Sequence, residues 1–235
     1  MQKVALITGT GSGIGKAIAE FLLEKDYLVY GYSRSNAISH TNFTFTEVDL
    51  SNLDAVKQLE FPKGNQQGTL LINNAATIGS ILPLHLKKEE DIINEYKLNI
   101  ITPTLLCSKF INTYYNDEKI IINIGSGAAN NAIASWNTYC ATKSALDMLT
   151  EVITAEKHEK LKILSVHPGV VDTNMQREIR NSDSKYFPLL RKFKAYHSNN
   201  ELENPDIVAQ KLYYVIQNFD EFTKNILSIR DVNLN

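Results

Sequence analysis

Cysteine is scarce in this chain: two residues in 235, Cys107 and Cys140. Neither sits in a Cys-x-x-Cys pattern, so a disulfide framework is excluded and reduced, packed thiols are expected. The five histidines keep no metal-ligand spacing, and no metal centre is expected. No apolar run approaches the roughly 20 residues that span a bilayer. The first apolar stretch, residues 4–8, is too short for a signal-peptide core and runs straight into glycines. Neither sign of charge dominates: 24 Lys+Arg against 26 Asp+Glu leave a formal charge of −2. No global field therefore favours nucleic acid or an anionic membrane. These absences point to a cytoplasmic enzyme acting on a small molecule.

Short apolar runs alternate with longer amphipathic segments. Strands are expected over 4–8, 27–33, 43–48, 69–73, 119–124, 162–167 and 225–230. Helices are expected over 14–25, 53–59, 138–157 and 206–218, with 88–115 mostly helical but interrupted near Thr102-Pro103. Such alternation implies an α/β fold, a Rossmann-type doubly wound parallel sheet of about seven strands with helices on both faces. The length suits one domain over 1–235. Residues 172–203 lack clear periodicity, are polar, and carry Tyr186, Phe187, Phe193 and Tyr196. A stretch of that kind in a compact domain is expected to be a substrate-binding lid.

Thr8-Gly9-Thr10-Gly11-Ser12-Gly13-Ile14-Gly15 joins the first strand to the first helix. Glycines there allow a tight turn and let the backbone approach a pyrophosphate, while the helix N-terminus supplies free N–H groups. With no Gly-Lys-Ser/Thr step, a nucleotide-hydrolysing P-loop is excluded and a dinucleotide is favoured. The second strand ends Ser33-Arg34-Ser35, where an NAD-binding chain would place a carboxylate for the ribose 2′-hydroxyl. Arginine instead of an acid favours the 2′-phosphate of NADP(H), although Arg34 also reads as an ordinary surface arginine.

Ser126 closes the fifth strand, and Tyr139 and Lys143 share a face of the helix that follows. A nearby ammonium lowers a phenol's pKa, which is expected to make Tyr139 a working acid–base. Ser126 can hydrogen-bond the same substrate oxygen, or merely cap a turn. Trp136, the only tryptophan, reads equally as an apolar pocket wall and as packing, and Met175 invites the same two readings.

These motifs in this order resemble the short-chain dehydrogenase/reductase family along almost the whole chain. The family's Thr-Gly-x-x-x-Gly-x-Gly matches Thr8 to Gly15. Its Asn-Asn-Ala-Gly is Asn73-Asn74-Ala75-Ala76, with alanine for glycine. Its helix asparagine is Asn99, its serine Ser126, its Tyr-x-x-x-Lys Tyr139 and Lys143, and its Pro-Gly segment Pro168-Gly169-Val170-Val171-Asp172-Thr173. The resemblance implies that Tyr139 is the acid–base, and that Lys143 holds the nicotinamide ribose and lowers the tyrosine pKa. It also implies that Ser126 positions the substrate oxygen and that Asn99 holds a water in a proton relay. For the cofactor it implies Asp49 and Leu50 at adenine, Asn73 and Ala75 at the adenosine ribose side, and Val171 and Thr173, after Pro168, at the carboxamide. The replacement of glycine by Ala76 matters only if that position needs positive φ.

Within the family, the likeness runs to sepiapterin reductases and bacterial benzil reductases, through the Pro168 to Gln176 and Ser135 to Cys140 segments. Ile229, with Asp231 two residues on, replaces the aspartate that anchors a pterin in the former. The expected function is NADPH-dependent reduction of a ketone or 1,2-diketone by a homodimer or homotetramer paired through the helices around 100–115 and 138–157. Leu105, Leu106, Phe110, Ala145, Leu149 and Ile153 are the apolar residues there. One alternative is a 3-oxoacyl-[acyl-carrier-protein] reductase, with an acidic partner drawn to Arg177, Arg180, Lys185, Arg191, Lys192 and Lys194. Another is a non-catalytic NADP(H)-sensing protein.

Overall fold

The computed structural model describes residues 3–63 and 68–234. The first strand, β1 (Val4–Thr8), is buried along its whole length, as a central parallel strand covered on both faces must be. It pairs with β2 (Leu28–Ser33) on one side and β4 (Thr69–Asn73) on the other. With β3 (Phe43–Glu47), β5 (Lys119–Ile124), β6 (Leu161–His167) and β7 (Ile226–Ser228), the sheet order is β3-β2-β1-β4-β5-β6-β7, parallel throughout. The order reverses between β1 and β4, and there the carboxyl ends of the strands open a crevice.

One face is covered by α1 (Gly13–Glu24) and α8 (Pro205–Gln217), which pack Ile18 and Leu22 against Val208, Leu212 and Val215. The other is covered by α2 (Leu53–Gln58), α4 (Thr102–Thr113) and α5 (Asn137–Ala155), with Val56, Leu106, Phe110 and Ile153 inside. Both cysteines are free thiols, and burial pushes Cys107 up to about 12. Among the described residues no helix is long and apolar enough to cross a membrane.

Three expectations need correction. The helical stretch does not break at Thr102-Pro103. It runs from α3 (Glu89–Tyr96) through a π turn over Lys97–Ile101 into α4, with Pro103 in the first turn of α4. The wide turn absorbs the missing proline N–H. The last strand is three residues long, and a 3-10 turn over Ile229–Asp231 follows, capped by the Ser228 hydroxyl. The segment 172–203 is not irregular: it holds α6 (Asn174–Arg180) and α7 (Leu190–Ser198). Its two ends are tied by a bridge from Val171 to Glu203. Helices this short leave only weak periodicity, because packing rather than propensity stabilises them.

The loop after β4 is fastened to α5 by a buried ion pair. Lys87 Nζ donates to Glu95 Oε1 and Oε2 at 2.9 and 2.8 Å and to Thr138 Oγ1 at 2.5 Å. Glu95 also accepts from Ser80 N at 3.0 Å and from the Thr138 hydroxyl. Burial pushes the Glu95 carboxyl up and the Lys87 ammonium pulls it back. Removing one partner of a buried pair strands the other charge. Lys87→Met is therefore expected to cost about 3–5 kcal/mol in urea unfolding, and adding Glu95→Leu to recover part of it. A single variant within about 1 kcal/mol of wild type would show that the pair does not hold this loop.

Candidate active site

The turn between β1 and α1 is built for close backbone approach. A Cβ on Gly15 would lie 2.3 Å from both Gly9 O and Asn74 Nδ2, and one on Gly13, at φ +57°, would meet the Thr173 methyl at 3.1 Å. Ser12 caps α1 with extended backbone and no side-chain cap bond, Ile14 is half-buried on the first core cluster, and the first turn carries no acidic residue. The helix N-terminus thus keeps its partial positive charge for an anion. A cavity of about 270 Å³ opens beside it, lined by Ser12, Gly13, Lys16, Thr173 and Arg177 among others. The turn is braced from β4. Asn74 Nδ2 donates to Thr8 O at 2.9 Å and Gly9 O at 3.3 Å, while Thr8 Oγ1 accepts from the backbone N–H groups of Asn74 and Ala75 at 2.9 and 3.0 Å. Sequence reasoning passed over Asn74. The signal available was the need of the turn's buried carbonyls for donors.

At the end of β2, Arg34 is exposed and Ser33 is buried. Ser33 Oγ donates to Ser35 O at 2.6 Å, so its hydroxyl is used within the turn, and the Ser35 side chain lies over Gly11. The neighbouring Asp49 carboxyl is held below its usual value, first by hydrogen bonds from Ser51 and further by the Arg34 guanidinium. Two residues expected at the cofactor turn their side chains inward. The Leu50 side chain belongs to the second core cluster, leaving Asp49 as the exposed member of that pair. Asn73 turns its amide into the fold, donating to Asn123 Oδ1 at 2.9 Å, which leaves only its backbone for a ribose. Ala76 is not among the residues with positive φ, so the methyl that replaces glycine's hydrogen causes no strain.

Ser126, Tyr139 and Lys143 converge at the end of β5. Ser126 caps a 3-10 turn over Gly127–Asn130, accepting from Ala128 N at 3.1 Å, and also hydrogen-bonds the Tyr139 phenol. Lys143 Nζ donates to Ile124 O at 2.7 Å and stands 5.8 Å from the centre of the Tyr139 ring. The expectation of a phenol lowered by the ammonium is not met. Burial pushes Tyr139 up, the Ser126 hydrogen bond only partly offsetting it, and burial brings Lys143 down to about 8 against the pull of Asp147. Desolvation dominates both shifts because both groups are buried.

Asn99 lies in the π turn, and its side chain is fully employed. Oδ1 accepts from Thr77 N and Nδ2 donates to Thr77 O, both at 2.9 Å, with a further contact to Thr142 Oγ1 at 3.3 Å. The Asn99 backbone carbonyl lacks the usual α-helical donor four residues on, because Pro103 has no N–H.

The 172–203 segment closes over the phenol. Tyr139 Oη donates to Met175 Sδ at 3.9 Å. Trp136 is 5% exposed and stacks on Phe187 with ring centres 5.4 Å apart, while Tyr139 meets it edge-on at 5.5 Å. Phe193 and Ile179 complete this third cluster. Trp136 thus packs directly behind the Tyr139 ring. Ser135, at φ +69°, donates to Tyr186 O at 2.5 Å and ties the start of α5 to the 172–203 segment. Pro168 is half-buried at the end of β6, and Val171 is buried just before that segment. Thr173 caps α6 and touches Gly13, joining the segment to the glycine turn. The unshielded α1 N-terminus, the glycine positions without room for a Cβ and the unused Ser12 hydroxyl suit a dinucleotide's pyrophosphate.

The family model described as short chain dehydrogenase matches residues 3–184. Benzil reductase ((S)-benzoin forming) of Bacillus subtilis (strain 168) is 32% identical over 228 residues, 92% of this chain and 94% of that one. Sepiapterin reductase of Rattus norvegicus is 30% identical over 241 residues, 91% of each chain. The NADPH-dependent pterin aldehyde reductase of Arabidopsis thaliana is 26% identical over 185 residues, 74% of this chain and 76% of that one. A short chain dehydrogenase/reductase crystal structure from Saccharomyces cerevisiae superposes with a TM-score of 0.86 at 26% identity, covering 97% of this chain and 96% of the other. With the glycine turn, the Ser-Tyr-Lys group and the sheet order in agreement, this chain belongs to the short-chain dehydrogenase family of oxidoreductases.

Proposed function

We propose that this chain reduces the carbonyl of a ketone or 1,2-diketone to an alcohol with NADPH. The observation that carries the reading is the buried Tyr139 phenol. It is hydrogen-bonded by Ser126 and backed by Trp136, with Lys143 one helical turn on. A bound nicotinamide supplies the hydride. A phenol pushed up by burial stays protonated at neutral pH, which is the form that gives a proton to a carbonyl oxygen. Ser126 orients that oxygen and stabilises the charge developing on it. In this reading Lys143 holds a ribose hydroxyl, and Met175 and the lid aromatics exclude water around the reacting group. Glycines 9, 11, 13 and 15 with Ser12 and Ile14 take the pyrophosphate, and Val171 and Thr173 border the nicotinamide.

Arg34 and the hydroxyl-bearing Ser33-Arg34-Ser35 turn support NADPH, as does the printed cofactor of the Arabidopsis relative. Ile229 is packed in the core and Asp231 is exposed. Neither offers a buried carboxylate to a pterin, which favours an apolar dicarbonyl. The exposed Arg191, Lys192 and Lys194 on α7 favour the second reading, an acidic carrier-protein thioester. In the helix pair, Leu106, Phe110 and Ile153 belong to the chain's own core, whereas Ile101, Met148 and Val152 are exposed. That exposed row supports a homo-oligomer paired through α4 and α5.

Purified protein is expected to consume NADPH with benzil or isatin, faster than with an acetoacetyl thioester. Tyr139→Phe should lower kcat roughly 100- to 10,000-fold with little change in cofactor binding. A variant that keeps wild-type turnover would remove Tyr139 from the chemistry. Arg34→Ala should raise KM for NADPH roughly tenfold or more and leave that for NADH unchanged; a wild type that prefers NADH tenfold would sink the NADP assignment. Met148→Glu with Val152→Glu should give a monomer by light scattering. An unchanged assembly would place the interface elsewhere.

A further inference from the structure

Behind the Ser-Tyr-Lys group lies a second polar cluster that the proposed reaction does not use. Asp147 stands on α5 one turn beyond Lys143, and both are buried. Each of its carboxylate oxygens has its own donor from β6. Oδ1 accepts from Ser165 Oγ at 2.5 Å, and Oδ2 accepts from His167 Nε2 at 2.9 Å. Ser165 and His167 are two residues apart on one strand, so they present to the same face of the sheet. A carboxylate only accepts, so this contact places the His167 proton on Nε2.

The cluster is pressed against the backbone that carries the catalytic serine. A Cβ on Gly125 would lie 2.5 Å from Ser165 Oγ, 2.6 Å from His167 Cδ2 and 2.9 Å from Asp147 Oδ1. Gly125 sits between Ile124, whose carbonyl takes the Lys143 ammonium at 2.7 Å, and Ser126. One stretch of three residues thus receives the cation on its first member and abuts the anion at its second. Around Lys143 the titratable neighbours are Tyr139, whose ring centre is 5.8 Å away, and Asp147, both from α5, with His167 of β6 behind Asp147. Asp147 is the charge whose field opposes the desolvation of Lys143. An ammonium buried at 3% exposure needs such a partner to stay charged.

We propose that Asp147, clamped by Ser165 and His167 against Gly125, is the buried counter-charge of Lys143 and acts as a positioning residue through it. It makes no contact with substrate in this role. Its work is to keep Lys143 protonated and seated on the Ile124 carbonyl through neutral pH. The kinetic consequence rests on the reductase reading; the protonation of Lys143 is a property of the free protein.

The test measures both. In lysine-labelled free protein, the Lys143 side-chain resonance is assigned by its loss in Lys143→Arg and titrated by NMR. Asp147→Asn is expected to move its midpoint down by roughly 1 pH unit or more. The alkaline limb of the pH–rate profile should move down by a similar amount, with turnover recovering toward wild type as the pH is lowered. Where the single change does not fold, Asp147→Asn with His167→Gln serves, because the two amides can pair in place of the carboxylate and ring. A merely structural aspartate would lower turnover evenly at all pH values with the Lys143 midpoint unmoved, and that result in a folded variant overturns the proposal. A midpoint that falls as expected in a protein without carbonyl turnover supports the counter-charge and removes the reductase reading instead.

Discussion

Lys143 carries its ammonium to a place water barely reaches, and a cation there persists only where fixed dipoles and charges replace its hydration. The fold arranges that replacement from three directions. The Ile124 carbonyl takes a hydrogen bond at the end of β5, Asp147 supplies the opposite charge one turn along α5, and Ser165 and His167 hold that carboxylate from β6. Because β5, α5 and β6 all meet at this point, the alignment of Ser126 with Tyr139 follows from the same packing. A sheet parallel throughout makes this possible, since it brings the ends of β5 and β6 to one edge.

The 172–203 segment is coupled to this centre by packing. Trp136 lies between the Tyr139 ring and Phe187 of that segment, and Ser135 and Met175 add hydrogen bonds across the same seam. On the opposite side, the Lys87–Glu95 pair and Thr138 secure the loop after β4 to the first turn of α5. Tyr139 is thus held by neighbours on both sides, which is the preorganisation that the proposed proton transfer to a carbonyl oxygen requires. The same burial that fixes the phenol pushes its pKa up, which suits the proposed reductive direction.

Much of this was legible in residue order. The alternation of apolar runs and amphipathic segments is strong where elements are long, as in β1, α1 and α5, and there the boundaries agree within one or two residues. It fails where stability comes from partners. Helices α6 and α7 have seven and nine residues and form because Ile179, Leu190 and Phe193 bury with Phe187 against Trp136, a site distant in sequence. The break expected at Pro103 became a π turn upstream, because a wider turn costs less than an interrupted helix whose ends would need new partners. Asn73 and Leu50 were expected at the cofactor because of their motif positions, but the side chains point inward to Asn123 and to the second core cluster.

By itself, then, the sequence determined which groups are present and which stand in register along one element: the glycines of the turn, a tyrosine and lysine four residues apart, a serine at a strand end. Periodicity and local spacing carry that information because they are properties of a single helix or strand. Only the tertiary structure decided the protonation behaviour of those groups and the residues that govern it. Burial and the charge at Asp147 are made by segments that meet through folding. Desolvation, which reverses the expected direction for Tyr139, depends on what surrounds a group in space and leaves no mark on its neighbours in the chain.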